Sequence, residues 1–385
     1  MGLSTATTPA ARTEAPEGFP GLLDGFREKL DRELGSWLAR KREAAGGFRE
    51  AVELIDGVGQ LVTQGGKRLR PALVYYTYRA CGGPSDSEAL PLALATELLH
   101  TYLLIHDDIM DHAELRRGQP AAHVRFQRAH QARGFHGDAQ DFGRSVAILL
   151  GDLAHTWAVE LFTGVSLEGG RRSRELTRCF STMSEEVIGG QYLELLLAQR
   201  RGAPVPGTDQ ETDLEQELLR VLRLKSGCYT AERPIQLGAL LAGAEKIAFD
   251  GLSRYGAAVG EAFQLQDDLL GMFGHAGTTG KPVGEDLREG KFTFLIHHAL
   301  SAATPEQRRT LEGSLGNPDL TAEEVAAAQR ILEETGARAK VTEMVAERLR
   351  TARGALDGLD GIADLEPEGR LFFEGLLDYL WERES

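Results

Sequence analysis

Residues Ser87–His112 read SEALPLALATELLHTYLLIHDDIMDH, a continuous helix-forming stretch into which Asp107, Asp108 and Asp111 are set. Leu103, Leu104, Ile105, Ile109 and Met110 leave little polar surface around these acids, and burying uncompensated carboxylates is expensive. At about 100° per residue, Asp107 and Asp111 stack on one helical face. Asp108 turns aside, where it could bond a neighbour or a second ion. The same setting recurs in AFQLQDDLLG, with Asp267 and Asp268. Charge runs on helices are ordinarily solvated surface, but an acidic pair on an apolar face, found twice, calls for a cation. Oxygen-only ligands favour a hard ion such as Mg2+, with phosphate oxygens completing its shell.

Basic residues stand in sequence beside these acids. GGKRLRP (Gly65 to Pro71) carries Lys67, Arg68 and Arg70, and ELRRGQP carries Arg116 and Arg117. Lys225 lies in LRLKSGCYT, and Lys281 and Lys291 bracket GKPVGEDLREGK. Arginine forks match diphosphate oxygens bidentately, lysine adds a point charge, and glycine lets backbone approach an anion. GGKR lacks the full GxxxxGK[ST] phosphate-loop pattern, so each cluster alone is a weak signal. Together with two acidic segments they suit a magnesium–diphosphate substrate.

Working outward, apolar residues recur at helical intervals almost everywhere, beginning with Leu22, Leu23, Phe26, Leu30, Leu34 and Leu38. Helices are expected near 71–80, 87–112, 120–133, 145–162, 174–199, 214–241, 245–273, 291–303, 323–336 and 339–356. Loops are expected at 134–143 and 201–213. Alternating strand patterns are scarce and no repeat emerges. The expected class is all-α: a flexible arm over residues 1–20, then one helical domain over 21–385 built as a bundle around a central cavity. Most of the apolar residues, with Trp37, Trp157 and Trp381, read as packing.

Composition narrows the function. A 385-residue chain that is 42% hydrophobic can bury a large core. A net charge of −15 argues against nucleic-acid binding. Cys81, Cys179 and Cys228 are scattered without CxxC spacing, which fits reduced thiols in a cytoplasmic compartment. The start, MGLSTATTPAARTEAPEGFPG, has no export leader. Ala6 breaks the myristoylation pattern. No unbroken apolar run reaches the roughly 18 residues of a spanning helix, so no transmembrane segment is expected.

The ordered set GGKRLRP, ELLHTYLLIHDDIMDHAELRRGQPAAH, GDLAH, IGGQYLEL, LKSGCYT, AFQLQDDLLGMFG and GKPVGEDLREGKFT resembles the trans-type polyprenyl diphosphate synthases from about Gly65 to Thr293. One departure stands out: Gly271 occupies the place where many members carry a third aspartate. The resemblance implies a helical barrel with opposed acidic segments, up to about three Mg2+ ions and a homodimer. It further implies head-to-tail condensation of isopentenyl diphosphate with an allylic diphosphate. Metal ligands implied are Asp107, Asp108, Asp111, Asp267, Asp268 and Asp286. Lys225, Lys281 and Arg116 would face the leaving diphosphate, and Lys291 would also contact substrate. Lys67, Arg70, His100 and Arg117 would hold isopentenyl diphosphate, with Ser226 and Gln264 near the carbocation. His106, His112 and His123 lack such a match. Gln191 could face the cavity.

In this family the residues just before the first acidic motif limit product length. Tyr102, five residues before Asp107, would lie about 7.5 Å down the helix, with Leu103 beside it. A bulky Tyr there implies geranylgeranyl diphosphate first and farnesyl diphosphate second. Three rivals differ in testable ways. A terpene cyclase would not need the GGKRLRP and Arg117 pocket, a head-to-head enzyme would carry two DxxxD segments, and a regulatory subunit would have lost motif residues.

Overall fold

The computed structural model describes residues 18–165, 170–199, 209–274 and 283–382. The all-α expectation holds: among these residues the only strands are the antiparallel pair Leu115–Arg116 and Gln119–Pro120. That pair forms the tip of the hairpin that carries Arg116 and Arg117. The helices that position the site are α3 (Leu69–Ala80), α4 (Asp86–Met110), α6 (Ala139–Thr163), α7 (Arg171–Ala198) and α10 (Lys246–Phe273). Between α8 (Asp209–Val221) and α9 (Arg233–Ala242) the chain runs as a π-helix over Leu222–Glu232. Wide π turns of this kind recur at functional sites.

Helix α4 is largely buried. Ser85 caps it, its hydroxyl accepting the Ser87 N–H at 3.2 Å, which satisfies a backbone donor left over at the helix start. Leu92, Ala93, Ala95, Leu98 and Leu99 are fully buried, and α4 packs against α6 and α3. On the opposite side, α10 packs against the π segment and the helix Ala337–Asp357. Gly190 of α7 sits so close to the π segment that a Cβ would stand 2.5 Å from the Lys225 nitrogen. That close approach explains the glycine at 190, whereas a Cβ at Gly189 would meet nothing within 4 Å.

Several boundaries differ from expectation for local reasons. Helix α6 begins at Ala139 rather than 145, because Asp138 accepts the N–H groups of Gln140 and Asp141 at 2.7 and 2.9 Å. Helix α8 starts at Asp209, inside the expected 201–213 loop. The first helix, α1 (Gly18–Ala44), starts before residue 21, and Phe19 packs its ring on Phe372 and Tyr379. A C-terminal helix, Pro367–Glu382, escaped the sequence reading although its Phe372, Phe373, Leu376, Leu377 and Leu380 are buried. Burial of each phenylalanine is worth roughly 1.5–3 kcal/mol.

Two described helices, Asp86–Met110 and Ala139–Thr163, are long and apolar enough to cross a membrane. The expectation of no such segment counted only unbroken apolar runs. In α4 67% of the apolar window is buried inside the protein, which makes it a core helix, whereas in α6 only 33% is. Ile148, Leu149 and Val159 of α6 and Ile188, Tyr192, Leu195 and Leu196 of α7 are exposed.

Candidate active site

The ends of α4 and α10, the start of α3, the middle of α7, the π segment and residues 285–294 enclose one cavity of about 1150 Å³. Asp107, Asp267, Asp268 and Asp286 line it together with Lys67, Arg70, His100, Arg116, Arg117, Lys225, Ser226, Gln264 and Lys291. Segments far apart in sequence therefore meet, as the paired acidic motifs required. Tyr102, Leu103, Leu104, Val187 and Ile188 supply apolar lining.

At the acidic end, cations and carboxylates alternate. Lys225 Nζ bonds Glu194 and lies 3.8 Å from Asp107 Oδ1. Burial opposes the charge of Lys225, yet Glu194 and Asp107 hold its pKa above the ordinary lysine value. Lys291 joins the two walls, with Nζ 3.2 Å from Asp111 Oδ2, 3.8 Å from Asp286 Oδ1 and 2.6 Å from Glu289 Oε2. Burial raises the Asp111 pKa; Lys291 pulls it down and Asp107 pushes it up. Asp268 is driven well above the carboxylate range by burial and then by the charge of Asp286. The Gln264 amide donates to Asp268 Oδ1 at 2.7 Å, and its carbonyl oxygen accepts the Ser226 hydroxyl at 2.5 Å. Ser226 and the second acidic motif are thus one hydrogen-bonded unit.

Asp108, expected among the metal residues, does not line the cavity. It is 2% exposed and bound by Arg116, whose Nε donates to Oδ1 at 2.8 Å. Arg116 in turn spends its fork on Asp108, 3.9 Å from Asp107. The side-turned position foreseen from helical geometry has been used for an ion pair that fixes the hairpin.

At the basic end Arg70 and Arg117 bond neutral partners. Arg70 donates to Thr230 Oγ1 at 2.8 Å, and its guanidinium lies 4.5 Å from the Tyr229 ring centre. Tyr229 Oη is 2.7 Å from His100 Nδ1. His100 is pushed well below its usual pKa by burial and by the charges of Arg70 and Arg117, so it is neutral. Arg117 donates to the Gly65 carbonyl, and burial together with Arg68, Arg116 and Arg70 lowers its pKa despite Glu97. Lys67 Nζ sits 5.5 Å from the Phe263 ring centre. Arg68 is different: it is buried against Glu97 and Asp31, and so serves structure.

Among the described residues three non-glycines adopt left-handed backbone, Arg68, His112 and Arg117, with φ of 52°, 54° and 53°. All three flank the site, where such strain tends to gather. Sequence reasoning missed Tyr229, Thr230, Glu194 and Glu289. Only their places beside Lys225, within IGGQYLEL and within GEDLREGK offered a signal. Gln191 does line the cavity, and Lys281 lies outside the described residues. Tyr102 packs between His106 and His155, with ring centres at 4.8 and 5.0 Å.

An all-helical barrel with acidic and basic ends around one cavity is the isoprenoid synthase fold. The sequence pattern of the polyprenyl synthetase family matches residues 52–332, and the chain belongs to that family. It is a prenyltransferase, an isoprenyl diphosphate synthase. It is 33% identical to a geranylfarnesyl diphosphate synthase of Aeropyrum pernix over 84% of this chain and 92% of that one. It is 32% identical to a geranylgeranyl diphosphate synthase of Methanosarcina mazei over 86% of this chain and 90% of that one. A solved geranylgeranyl pyrophosphate synthase of Corynebacterium glutamicum, complexed with isoprenyl diphosphate and magnesium, superposes with a TM-score of 0.85. That structure is 32% identical and covers 94% of this chain and 99% of its own.

Proposed function

We propose that the chain condenses isopentenyl diphosphate head-to-tail with an allylic diphosphate, with geranylgeranyl diphosphate as the main product and farnesyl diphosphate as the alternative. The observation that carries this reading is the contrast between a carboxylate-rich end and an arginine pocket with neutral partners, both on one cavity. Mg2+ fits the first. Its donors are all carboxylate oxygens, and among the described residues no three His, Cys, Asp or Glu side chains form a cage by themselves. That suits an ion held by one or two carboxylates plus substrate phosphate oxygens. Asp107, Asp111 and Asp267 would hold the ions, up to about three, with Asp268 and Asp286 beside them.

When bound, Mg2+ supplies Lewis-acid stabilisation of the departing diphosphate. Asp107, Asp111 and Asp267 would hold the ions that face that diphosphate. Lys225 and Lys291 add positive charge there, and Lys281 is assigned the same role. Cleavage of the allylic C–O bond sends the electron pair to the diphosphate and leaves a carbocation, which the Ser226–Gln264 dipoles face. Isopentenyl diphosphate needs a pocket that does not promote ionisation, and Lys67, Arg70, His100 and Arg117 provide one without metal. Its alkene attacks the cation, and a proton passes to the released diphosphate.

The tail would grow along Leu103, Leu104 and Val187, with Tyr102 as the floor. A second copy of the chain would cover the exposed apolar faces of α6 and α7, giving a homodimer. Burial pushes the three thiols up to about 12, which disfavours the thiolate, and the enzyme is assigned to the cytoplasm. Incubating the purified chain with Mg2+, isopentenyl diphosphate and each allylic starter, followed by chromatography of the dephosphorylated products, tests the reading. A main product of twenty carbons, lost on chelation of the metal, is expected. Diphosphate-free hydrocarbons would indicate a cyclase instead, and no turnover by the chain alone a regulatory subunit.

A further inference from the structure

Gly271 closes the last turn of α10, directly after the second acidic pair. Its φ is not positive, so the backbone there does not require glycine, and glycine inside a helix is less favourable than alanine. Space is the remaining reason. A Cβ on Gly271 would stand 2.6 Å from Asp286 Oδ2 and 3.5 Å from its Cγ, and apart from its chain neighbours and the backbone of its own helix no other described heavy atom lies within 4 Å. The same residue anchors the approaching segment, because the Gly284 N–H donates to the Gly271 carbonyl at 3.0 Å. Further along, the Lys291 N–H donates to the Asp286 carbonyl at 2.9 Å, while Lys291 Nζ reaches Asp111 on the opposite wall.

We propose that Gly271 is a positioning residue of the second acidic wall: its missing side chain is the seat for the Asp286 carboxylate, which completes that wall in place of an acid on α10. A motif that looks incomplete along α10 is thereby completed in space by the segment that also links the two walls. The proposal rests on the metal-binding reading above. Placing even a methyl at residue 271 forces the flexible Asp286 side chain to turn away, without disturbing the helix.

The test is a Mg2+ titration of thermal stability with the full chain at fixed inorganic pyrophosphate, comparing wild type, Gly271→Ala, Asp286→Asn and the double variant. Each single variant should raise the half-saturating Mg2+ concentration about 10-fold, the size seen when groups orienting a metal site are removed. The double variant should be no worse than either single, because both remove one interaction. Gly271→Asp in the Asp286→Asn background should recover most of the loss. Without Mg2+, Gly271→Ala should melt no lower than wild type, showing an intact fold. A Gly271→Ala protein that titrates like wild type, or losses that multiply in the double variant, would overturn the assignment. If wild type shows no Mg2+-dependent shift with pyrophosphate, or Asp107→Ala leaves that shift unchanged, the metal reading itself falls.

Discussion

At the acidic end of the cavity every cation among the described residues stands against a carboxylate: Lys225 against Glu194 and Asp107, Arg116 against Asp108, Lys291 against Asp111, Asp286 and Glu289. At the basic end Arg70 and Arg117 are held by the Thr230 hydroxyl and the Gly65 carbonyl. The first arrangement pairs its cations with carboxylates, so an incoming diphosphate needs added metal to bind there. The second keeps its positive charge buried and crowded, since burial first and then Arg68, Arg116 and Arg70 lower the pKa of Arg117 against Glu97, and it can take a diphosphate directly. One cavity thus offers two anion sites of unlike chemistry, one suited to ionising its substrate and the other to holding its substrate intact.

The sharpest way to break this contrast is Asp107→Ala. Turnover should fall at least about 10³-fold, because an interaction made with the leaving group is lost. The KM for isopentenyl diphosphate should stay within about threefold. Equal damage to both parameters in steady-state kinetics would merge the two sites into one. Arg117→Gln probes the other end. Losing a charge-assisted contact of about 2–3 kcal/mol should raise the isopentenyl diphosphate KM roughly 30- to 150-fold while the allylic KM holds.

Tyr229→Phe is a finer cut through the same pocket. The ring beneath Arg70 remains and only the hydroxyl beside His100 goes, so about 1 kcal/mol, or some fivefold in that KM alone, is expected. Product length should respond least in rate and most in pattern. Tyr102→Ala should leave turnover within about threefold, since Tyr102 stands away from the reacting atoms, while chromatography shows longer products. An unchanged profile would mean that another wall residue sets the limit.

Much of this was legible in the residues. The helical period of Ser87–His112 and the apolar setting of Asp267–Asp268 dictated helices that must turn acids toward a cation, and the tertiary structure places Asp107, Asp267 and Asp268, though not Asp108 or Asp111, in the lining of one cavity. The Asp138 cap and the C-terminal Phe372–Phe373 face were equally present in the sequence, but a loop rich in Gly and His and a short terminal pattern masked them. The partner of Asp108 was not legible, because nothing local distinguishes a carboxylate that meets a cavity from one that meets the arginine of a neighbouring hairpin.

The sequence by itself determined an all-helical chain with two acidic motifs and a set of basic clusters, since helical period and the cost of burying charge act over a few turns. Only tertiary structure decided which charge meets which: Arg116 on Asp108, Tyr229 between Arg70 and His100, Asp286 over Gly271. Those choices depend on how α3, α4, α10 and the π segment pack. Electrostatic partners a few ångströms apart in space need bear no relation to spacing along the chain.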